Sequence, residues 1–366
     1  MKNLLLIFSL VLHVGQGESI SEALGEARQL YAEKGEACVI EIEPGTYYEE
    51  LTIDVPNLTL RNASNSPSIN LRNGGVDIDD NAVRISWYYG HGYQYRSMGD
   101  KFNYGGKRTR RWNASVLVTA QNFTAENIIF ENSFNTYISP AEMKDSLWDI
   151  SQTKNDWTPN ERPKKVMPQR PREVFSTAVQ SKKYNERAAA LSFTAGASGT
   201  LINCRLVGHQ DVLYGDHGAS VVIDGGVIMG TVDFIFGGMD LSVRNTELVV
   251  GCNPEKKNCY IAAGRGFVPE TALGGPSDSI QTQYGNVPYD EVAQQGMVFE
   301  NCAVRYATTD EVAEPAEPQV YLARPWRWWG RHTFVNVDTQ QVNMADEAIS
   351  LGLTKGIPAP WCEIKE

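Results

Sequence analysis

A polar residue between two apolar runs recurs about every 21 to 22 residues in the middle of this chain, and this recurrence constrains the fold more than any other feature. Asn203, Asp224 and Asn245 follow one another at intervals of 21 residues, and Asp211 and Asp233 lie 22 apart. A repeat of this length is typical of a solenoid of stacked β-strand coils. One coil cannot bury its own apolar face, so many coils must stack. We therefore expect an all-β chain folded as a solenoid of stacked β-strand coils.

Short runs rich in β-branched residues, each broken by Pro, Gly or Asn, occur along the whole chain and indicate strands. In most of them an Asn or Asp separates two apolar stretches. Asn tolerates the left-handed backbone that a sharp corner requires, and its amide can bond to its neighbours. We therefore expect the corners of the coils at these positions. The clearest units are residues 38–42, 51–53, 58–60, 127–132, 201–206, 221–228, 241–248, 298–304 and 333–337.

A short amphipathic helix is predicted from Ser19 to Lys34, because apolar residues recur there at helical spacing. Ser19 or Ser21 is the expected N-cap, and Glu22 would complete a capping box with Ser19. Gly35 is expected to end the helix. Such a helix would cover the open end of a solenoid, whose apolar edge needs a cap.

Residues 1–17 allow two interpretations. Their apolar run resembles a signal peptide. Alternatively, Leu10 to Val14 form a buried first strand that leads directly into the helix. Residues 18–366 are expected to form a single β-helix domain. The long, charged, Pro-rich stretch at 135–187 is expected to leave this domain as an insertion at the rim of the binding face.

Composition excludes several classes of protein. A net charge of −11 argues against nucleic-acid binding, and no run of 18 apolar residues exists that would span a membrane. The six cysteines show no C-x-x-C spacing, which argues against a zinc site. Cys204 and Cys302 are expected to be packed thiols, whereas Cys252 and Cys259 could bridge a short loop.

The chemistry is expected at Asp211 and Asp233, which one coil of 22 residues would place on neighbouring strands about 4.8 Å apart. Two carboxyl groups at one site do not both ionise easily, so one can act as nucleophile or base and the other as acid. Ester hydrolysis and glycoside hydrolysis both fit this pair. The sequence contains neither a G-x-S-x-G nor an H-E-x-x-H motif. His209 is interpreted as a packed residue or part of the cleft wall.

Four segments carry a family resemblance. Gln210 to Tyr214 resembles the Q-D-T-L-Y segment of pectin methylesterases, and Gly230 to Gly237 is similar to their G-x-V-D-F-I-F-G segment. Tyr321 to Trp326 resembles their L-G-R-P-W segment, and Gly45 to Glu49 their G-x-Y-x-E. The segments occur in the family's order and extend over roughly residues 18 to 340.

The resemblance implies a right-handed parallel β-helix that hydrolyses the methyl esters of polygalacturonate without a metal or an organic cofactor. It implies that Asp233 is the nucleophile, Asp211 the acid and base, and Gln210 the oxyanion donor. Arg324 would hold the nucleophile. The positions that match substrate-contacting residues of the family are Trp326, Tyr214, Phe236, Val232 and Ser115. A monomer that acts on pectin is expected, secreted or in the cell wall, with a cytoplasmic location as the alternative.

One position departs from the family pattern. The family's Q-A-V-A-L segment reads Arg187-Ala188-Ala189-Ala190-Leu191, so Arg187 replaces a glutamine of the oxyanion site. Arg187 could donate to the oxyanion, bind a uronate carboxylate, or pair with Glu186, and the sequence does not rank these roles. Two other functions also stay open: another β-helix carbohydrate enzyme (a glycosidase or lyase), and a carbohydrate-binding solenoid without activity.

Overall fold

The chain folds as a parallel β-helix, as the repeat predicts. In the described part of the chain, a 15-stranded sheet bends to form two faces of the helix and a 7-stranded sheet forms the third. The computed structural model describes residues 10–90, 95–101, 114–145, 170–181, 187–216, 218–251, 254–255, 257–264, 279–282, 285–288, 296–326, 330–350 and 362–366.

Each face is a stack of parallel strands. The first face contains β1 (Leu10–Val14), β2 (Cys38–Ile42), β5 (Thr59–Asn62), β10 (Phe123–Glu126), the first halves of β13 (Ser198–Val207) and β15 (Ser220–Gly230), β17 (Asp240–Arg244), β22 (Met297–Glu300), β25 (His332–Val335) and β26 (Cys362–Lys365). The second face contains β3 (Gly45–Tyr48), β8 (Val83–Trp87), β11 (Ile128–Asn132), the second halves of β13 and β15, β18 (Glu247–Val250) and β23 (Ala303–Tyr306). The third face contains β4 (Leu51–Ile53), β9 (Val116–Val118), β12 (Leu191–Phe193), β14 (Leu213–Gly215), β16 (Val232–Gly237), β19 (Asn258–Gly264) and β24 (Gln319–Ala323).

The remaining elements lie outside these faces. They are the helices α1 (Ile20–Lys34) and α2 (Pro140–Lys144), 3₁₀ turns at Arg96–Lys101 and Ala178–Ser181, and the hairpins β6 (Leu71–Arg72) with β7 (Asp77–Ile78) and β20 (Ser279–Thr282) with β21 (Gly285–Pro288). Helix α2 and the second 3₁₀ turn belong to the insertion at 135–187. No helix in the described ranges combines the length and apolar character needed to cross a membrane.

Asn residues make the corners between the first and second faces. Asn127, Asn203 and Asn245 all adopt the left-handed conformation, with φ of 56°, 47° and 52°. The Asn203 side-chain amide donates to Asn127 Oδ1 over 2.6 Å, which links neighbouring corners. Asp224 departs from the predicted spacing, because it pairs with Ile202 and thus precedes its corner by one residue. Gly225 takes the left-handed conformation there, with φ of 72°.

Helix α1 covers the first coil. Its N-cap is Ser19, whose hydroxyl accepts from the Glu22 N–H, and Gly35 ends it in the left-handed conformation. The carboxylate at its N-terminus comes from Glu49, which accepts from the Ile20 and Ser21 N–H groups at 2.8 and 2.9 Å. The acid of the G-x-Y-x-E segment therefore fixes the cap to the body of the solenoid. Strand β1, in the range of the first-strand interpretation, pairs in parallel with β2.

A segment that we call the strap, residues 63–82, runs between β5 and β8 along the outside of the second face. Its apolar side chains pack on residues of four strands of that face and on the loop at 307–312. At the turn between β6 and β7, the Gly74 and Gly75 N–H groups donate to the carbonyls of Thr309 and Asp310 at 3.0 and 2.8 Å. The strap therefore connects the first coils to a loop that follows β23.

Glu311 holds this junction together. It accepts hydrogen bonds from the Arg205 and Arg305 guanidinium groups at 2.8 and 2.7 Å and from the Thr308 N–H at 2.9 Å. Burial by itself would raise the pKa of Glu311, but the hydrogen bonds from Arg305 and Thr308 and the charge of Arg205 hold this pKa at about 2.

Substitution Glu311→Gln is expected to lower the free energy of unfolding by about 2 to 3 kcal/mol at pH 7. A depressed pKa contributes stability above the unfolded-state value of about 4.3, and this contribution is lost as the pH falls towards 2. The difference from the parent protein should therefore shrink between pH 5 and pH 3. Urea unfolding at several pH values measures it, with the exposed Glu314→Gln as control. A constant difference across this range would contradict the assignment.

Candidate active site

Asp211 and Asp233 occupy equivalent positions on neighbouring coils of the third face. On one side of them Gln210 pairs with Val232, and on the other Leu213 pairs with Ile235. Both aspartates adopt the left-handed conformation, with φ of 57° and 49°, which Asp tolerates better than most residues. Both are almost completely buried. The structure therefore brings together the two carboxyl groups that the spacing predicted to be neighbours.

Asp233 is held by a bidentate ion pair. The Arg324 guanidinium donates from Nε to Oδ1 at 3.0 Å and from Nη2 to Oδ2 at 2.6 Å. Arg324 follows β24, and its backbone N–H donates to the Ala262 carbonyl at 2.8 Å. Two parallel charge-assisted hydrogen bonds of this kind stabilise the ionised carboxylate and fix its orientation. Asp233 is thus suited to act as an anion.

Asp211 is held much more loosely. Its contact with a cation is Arg187 Nε at 3.4 Å from Oδ2. Neither carboxyl oxygen has a well-aligned hydrogen bond within the described part of the chain, although the Gln210 side chain is near enough to lower the pKa of Asp211. Burial raises the pKa of Asp211 well above its usual range, the Arg187 guanidinium opposes this rise, and the Asp233 carboxylate adds to it. Of the two acids, Asp211 is therefore the one suited to carry a proton.

Gln210 lies between Arg187 and Val232 in the stack, because it forms bridges with both. It is half-buried at the rim of the acid pair. Glu186, one of the partners considered for Arg187, lies outside the described residues.

Aromatic side chains lie beside the acids. Tyr214 and Phe236 are paired on adjacent strands with ring centroids 5.7 Å apart, and Phe236 contacts Trp326 at 4.6 Å. Trp326 is half-exposed, whereas the other two rings are buried. The group thus presents an apolar surface next to the carboxyl pair.

Two other residues from the sequence analysis are buried. Ser115 precedes β9 and is fully buried, and no described residue hydrogen bonds its hydroxyl. Its contact with substrate therefore stays a prediction. His209 is also buried, which agrees with its interpretation as a packed residue.

Tyr260 belongs to the site, although the sequence analysis did not select it. Its ring lies under the Arg324 guanidinium, with Cζ 4.0 Å from the ring centroid, and stacks on Tyr321 at 4.9 Å. Tyr260 pairs with Val232 one coil earlier. Tyr260 continues the stack of Gln210 and Val232, but the loop before β19 lengthens the spacing from 22 to 28 residues (260 − 232), so the regular repeat does not point to it.

Together, the fold and the site define a parallel β-helix with a pair of buried aspartates on adjacent coils. Residues 175–274 match the family model described as Pectinesterase. A Pectinesterase of Petunia integrifolia is 27% identical over 146 residues, which are 40% of this chain and 32% of that protein. The chain thus spans about a third of the length of this relative.

Solved structures agree with this fold. The pectin methylesterase from carrot superposes with a TM-score of 0.57 at 15% identity, covering 97% of this chain and 81% of that one. A pectin methylesterase in complex with a hexasaccharide gives 0.53 at 22% identity, covering 90% and 78%. These likenesses concern the fold alone. The family model and the relatives bear out the resemblance to the pectinesterase family.

Proposed function

We propose that this chain hydrolyses the methyl esters of polygalacturonate and releases methanol. The observation that carries this proposal is the unequal ion pairing of two buried aspartates on adjacent coils: Asp233 is held by a bidentate arginine, whereas the nearest cation to Asp211 is Arg187 at 3.4 Å. The names of the family and of the relatives support the substrate class. The oligosaccharide complex of a structural neighbour supports a polymeric substrate in the cleft.

In the first step, a carboxylate oxygen of Asp233 attacks the ester carbonyl carbon. Negative charge develops on the carbonyl oxygen, and the Gln210 amide is the proposed donor that stabilises it. The bond to the methoxy oxygen then breaks, and neutral Asp211 gives its proton to that oxygen. Methanol leaves, the substrate is bound to Asp233 as an acyl-enzyme, and Asp211 is ionised.

In the second step, ionised Asp211 takes a proton from water, and the resulting hydroxide attacks the acyl carbon. The bond to Asp233 breaks, which releases the uronic acid product and restores the Asp233 carboxylate. Asp211 is again neutral, so both acids return to their starting states. Arg324 stabilises Asp233 as the leaving group in this step.

The apolar surface of Tyr214, Phe236 and Trp326 is the proposed sugar-binding wall, because flat aromatic faces pack well on sugar rings. Val232, which pairs with Gln210 on the preceding coil, is proposed as a further substrate-contacting residue. We propose further that the chain acts as a monomer on secreted or cell-wall pectin.

The test is methanol release from highly methylated pectin by the purified chain, followed together with the formation of new reducing ends. Methanol without new reducing ends is the expected result. New reducing ends would favour a glycosidase or lyase, and binding without either product would favour a non-catalytic solenoid. Either outcome would overturn the proposal.

Tyr260 is expected to act as a positioning residue for Arg324. Replacing Tyr260 with Leu removes the aromatic face under the guanidinium, so we expect kcat to fall about three- to tenfold with little change in KM. Tyr260→Phe retains the ring and should keep most of the activity. Steady-state methanol release measures both variants, and an equal loss in the two would contradict this role.

A further inference from the structure

Arg187 has no role in the two steps of the proposed mechanism. It stands where the family segment has glutamine, on the coil before Asp211. Its Nε lies 3.4 Å from Asp211 Oδ2, while 37% of its side chain is exposed. An uncharged amide at this position would place no cation beside the buried acid.

We propose that Arg187 is a positioning residue that sets the pH range of the reaction through its contact with Asp211. This inference rests on the proposed function, because it concerns the proton that Asp211 gives to the leaving group. The chemical consequence is specific: a permanent positive charge next to the acid favours its ionised form, and the family's glutamine would not do so.

The charged groups that face Asp211 come from three coils. Arg187 approaches from the coil before, Asp233 from the coil after, and Arg324 from beyond Asp233. The guanidinium of Arg324 is engaged by both oxygens of Asp233. Arg187 contacts Asp211 at 3.4 Å and is partly solvated, so its removal acts on Asp211 more directly than on Asp233.

The direction in which the pH profile shifts without Arg187 follows from the role of the Asp211 proton. Methanol release needs neutral Asp211, so the alkaline limb of kcat/KM reports the ionisation of this residue in the free enzyme. Burial raises the pKa of Asp211, and the charge of Arg187 lowers it. Without this charge the acid keeps its proton to higher pH. The alkaline limb should therefore move upward when Arg187 is neutralised.

The experiment compares kcat/KM for methanol release across pH in the parent protein, Arg187→Gln and Arg187→Lys. We expect the alkaline limb of Arg187→Gln to lie about one pH unit higher, and that of Arg187→Lys to lie between the two. The control is Arg244→Gln, which removes the same formal charge from an exposed residue of the first face. The alkaline limb of kcat/KM in Arg244→Gln should coincide with that of the parent.

Two outcomes would overturn the proposal. An unmoved limb in a folded Arg187→Gln variant would show that Arg187 does not act through Asp211. A higher KM at every pH with an unmoved limb would instead identify Arg187 as a ligand of the substrate's carboxylate.

A second readout does not depend on activity. Titration of ¹³C-labelled aspartate carboxyl groups by NMR, with Asp211→Asn to assign the signal, gives the Asp211 pKa in the parent and in Arg187→Gln. If the parent releases no methanol, the proposed function fails, and the carboxyl titration decides the effect of Arg187 separately. A rise in this pKa on substitution supports the proposal, and no rise contradicts it.

Discussion

Asp233→Asn is expected to lower kcat for methanol release by a factor on the order of 10⁴ or more, because the amide cannot form the acyl-enzyme. Asparagine has nearly the same shape as aspartate and tolerates the left-handed backbone at this position, with φ of 49°. The coil should therefore keep its conformation. Circular dichroism and thermal unfolding would check the fold, and a coupled methanol assay would measure the rate.

The matched control for this prediction is Asp240→Asn, the same chemical change at an exposed residue of the first face. It should leave kcat and stability within experimental error of the parent. A folded Asp233→Asn variant that retained more than about a hundredth of the parent rate would be incompatible with a nucleophilic Asp233.

Arg324→Ala is expected to affect both stability and activity. It leaves the buried Asp233 without its bidentate partner, and removing one member of a buried pair costs about 3 to 5 kcal/mol. The remaining carboxyl group would favour its neutral form, which is a poor nucleophile. We therefore expect kcat to fall on the order of 10²- to 10³-fold, with part of the loss recovered at higher pH. Urea unfolding and methanol release measure the two effects.

Two variants test whether the lost stability of Arg324→Ala comes from the ion pair with Asp233. Arg28→Ala removes an arginine from an exposed pair with Asp54 at 2.7 Å and should change stability by less than about 1 kcal/mol. Arg324→Ala in the Asp233→Asn background should cost less stability than in the parent, because no buried charge is then left unpaired. Equal costs in the two backgrounds would exclude the ion pair as the source.

The fold could be predicted from the sequence because, in a parallel stack, residues that are one repeat length apart lie side by side on adjacent coils. Asp211 and Asp233 lie one coil apart on the third face, as their 22-residue spacing indicated. The same argument failed by one residue at Asp224, because a glycine takes the corner there. Period alone does not specify which residue of a corner adopts the left-handed conformation.

Side-chain partners were harder to predict than backbone neighbours. Tyr260 was not predicted because a loop lengthens its coil. Its contact with Arg324 also depends on the direction of the Arg324 side chain. Glu49 supplies the carboxylate at the start of α1, where the sequence suggested Glu22. In each case the partner comes from another coil or element, so local spacing contains no signal for it.

The strap affects the order in which the coils unfold. A solenoid whose coils touch only their nearest neighbours can lose them one by one from either end. Here residues 63–82 attach early coils to the loop at 307–312, across the strands between them. Fraying from either terminus must therefore release this long-range attachment before it reaches the aspartate pair. The coils that the strap encloses should exchange their amide protons as one cooperative unit, more slowly than those outside it.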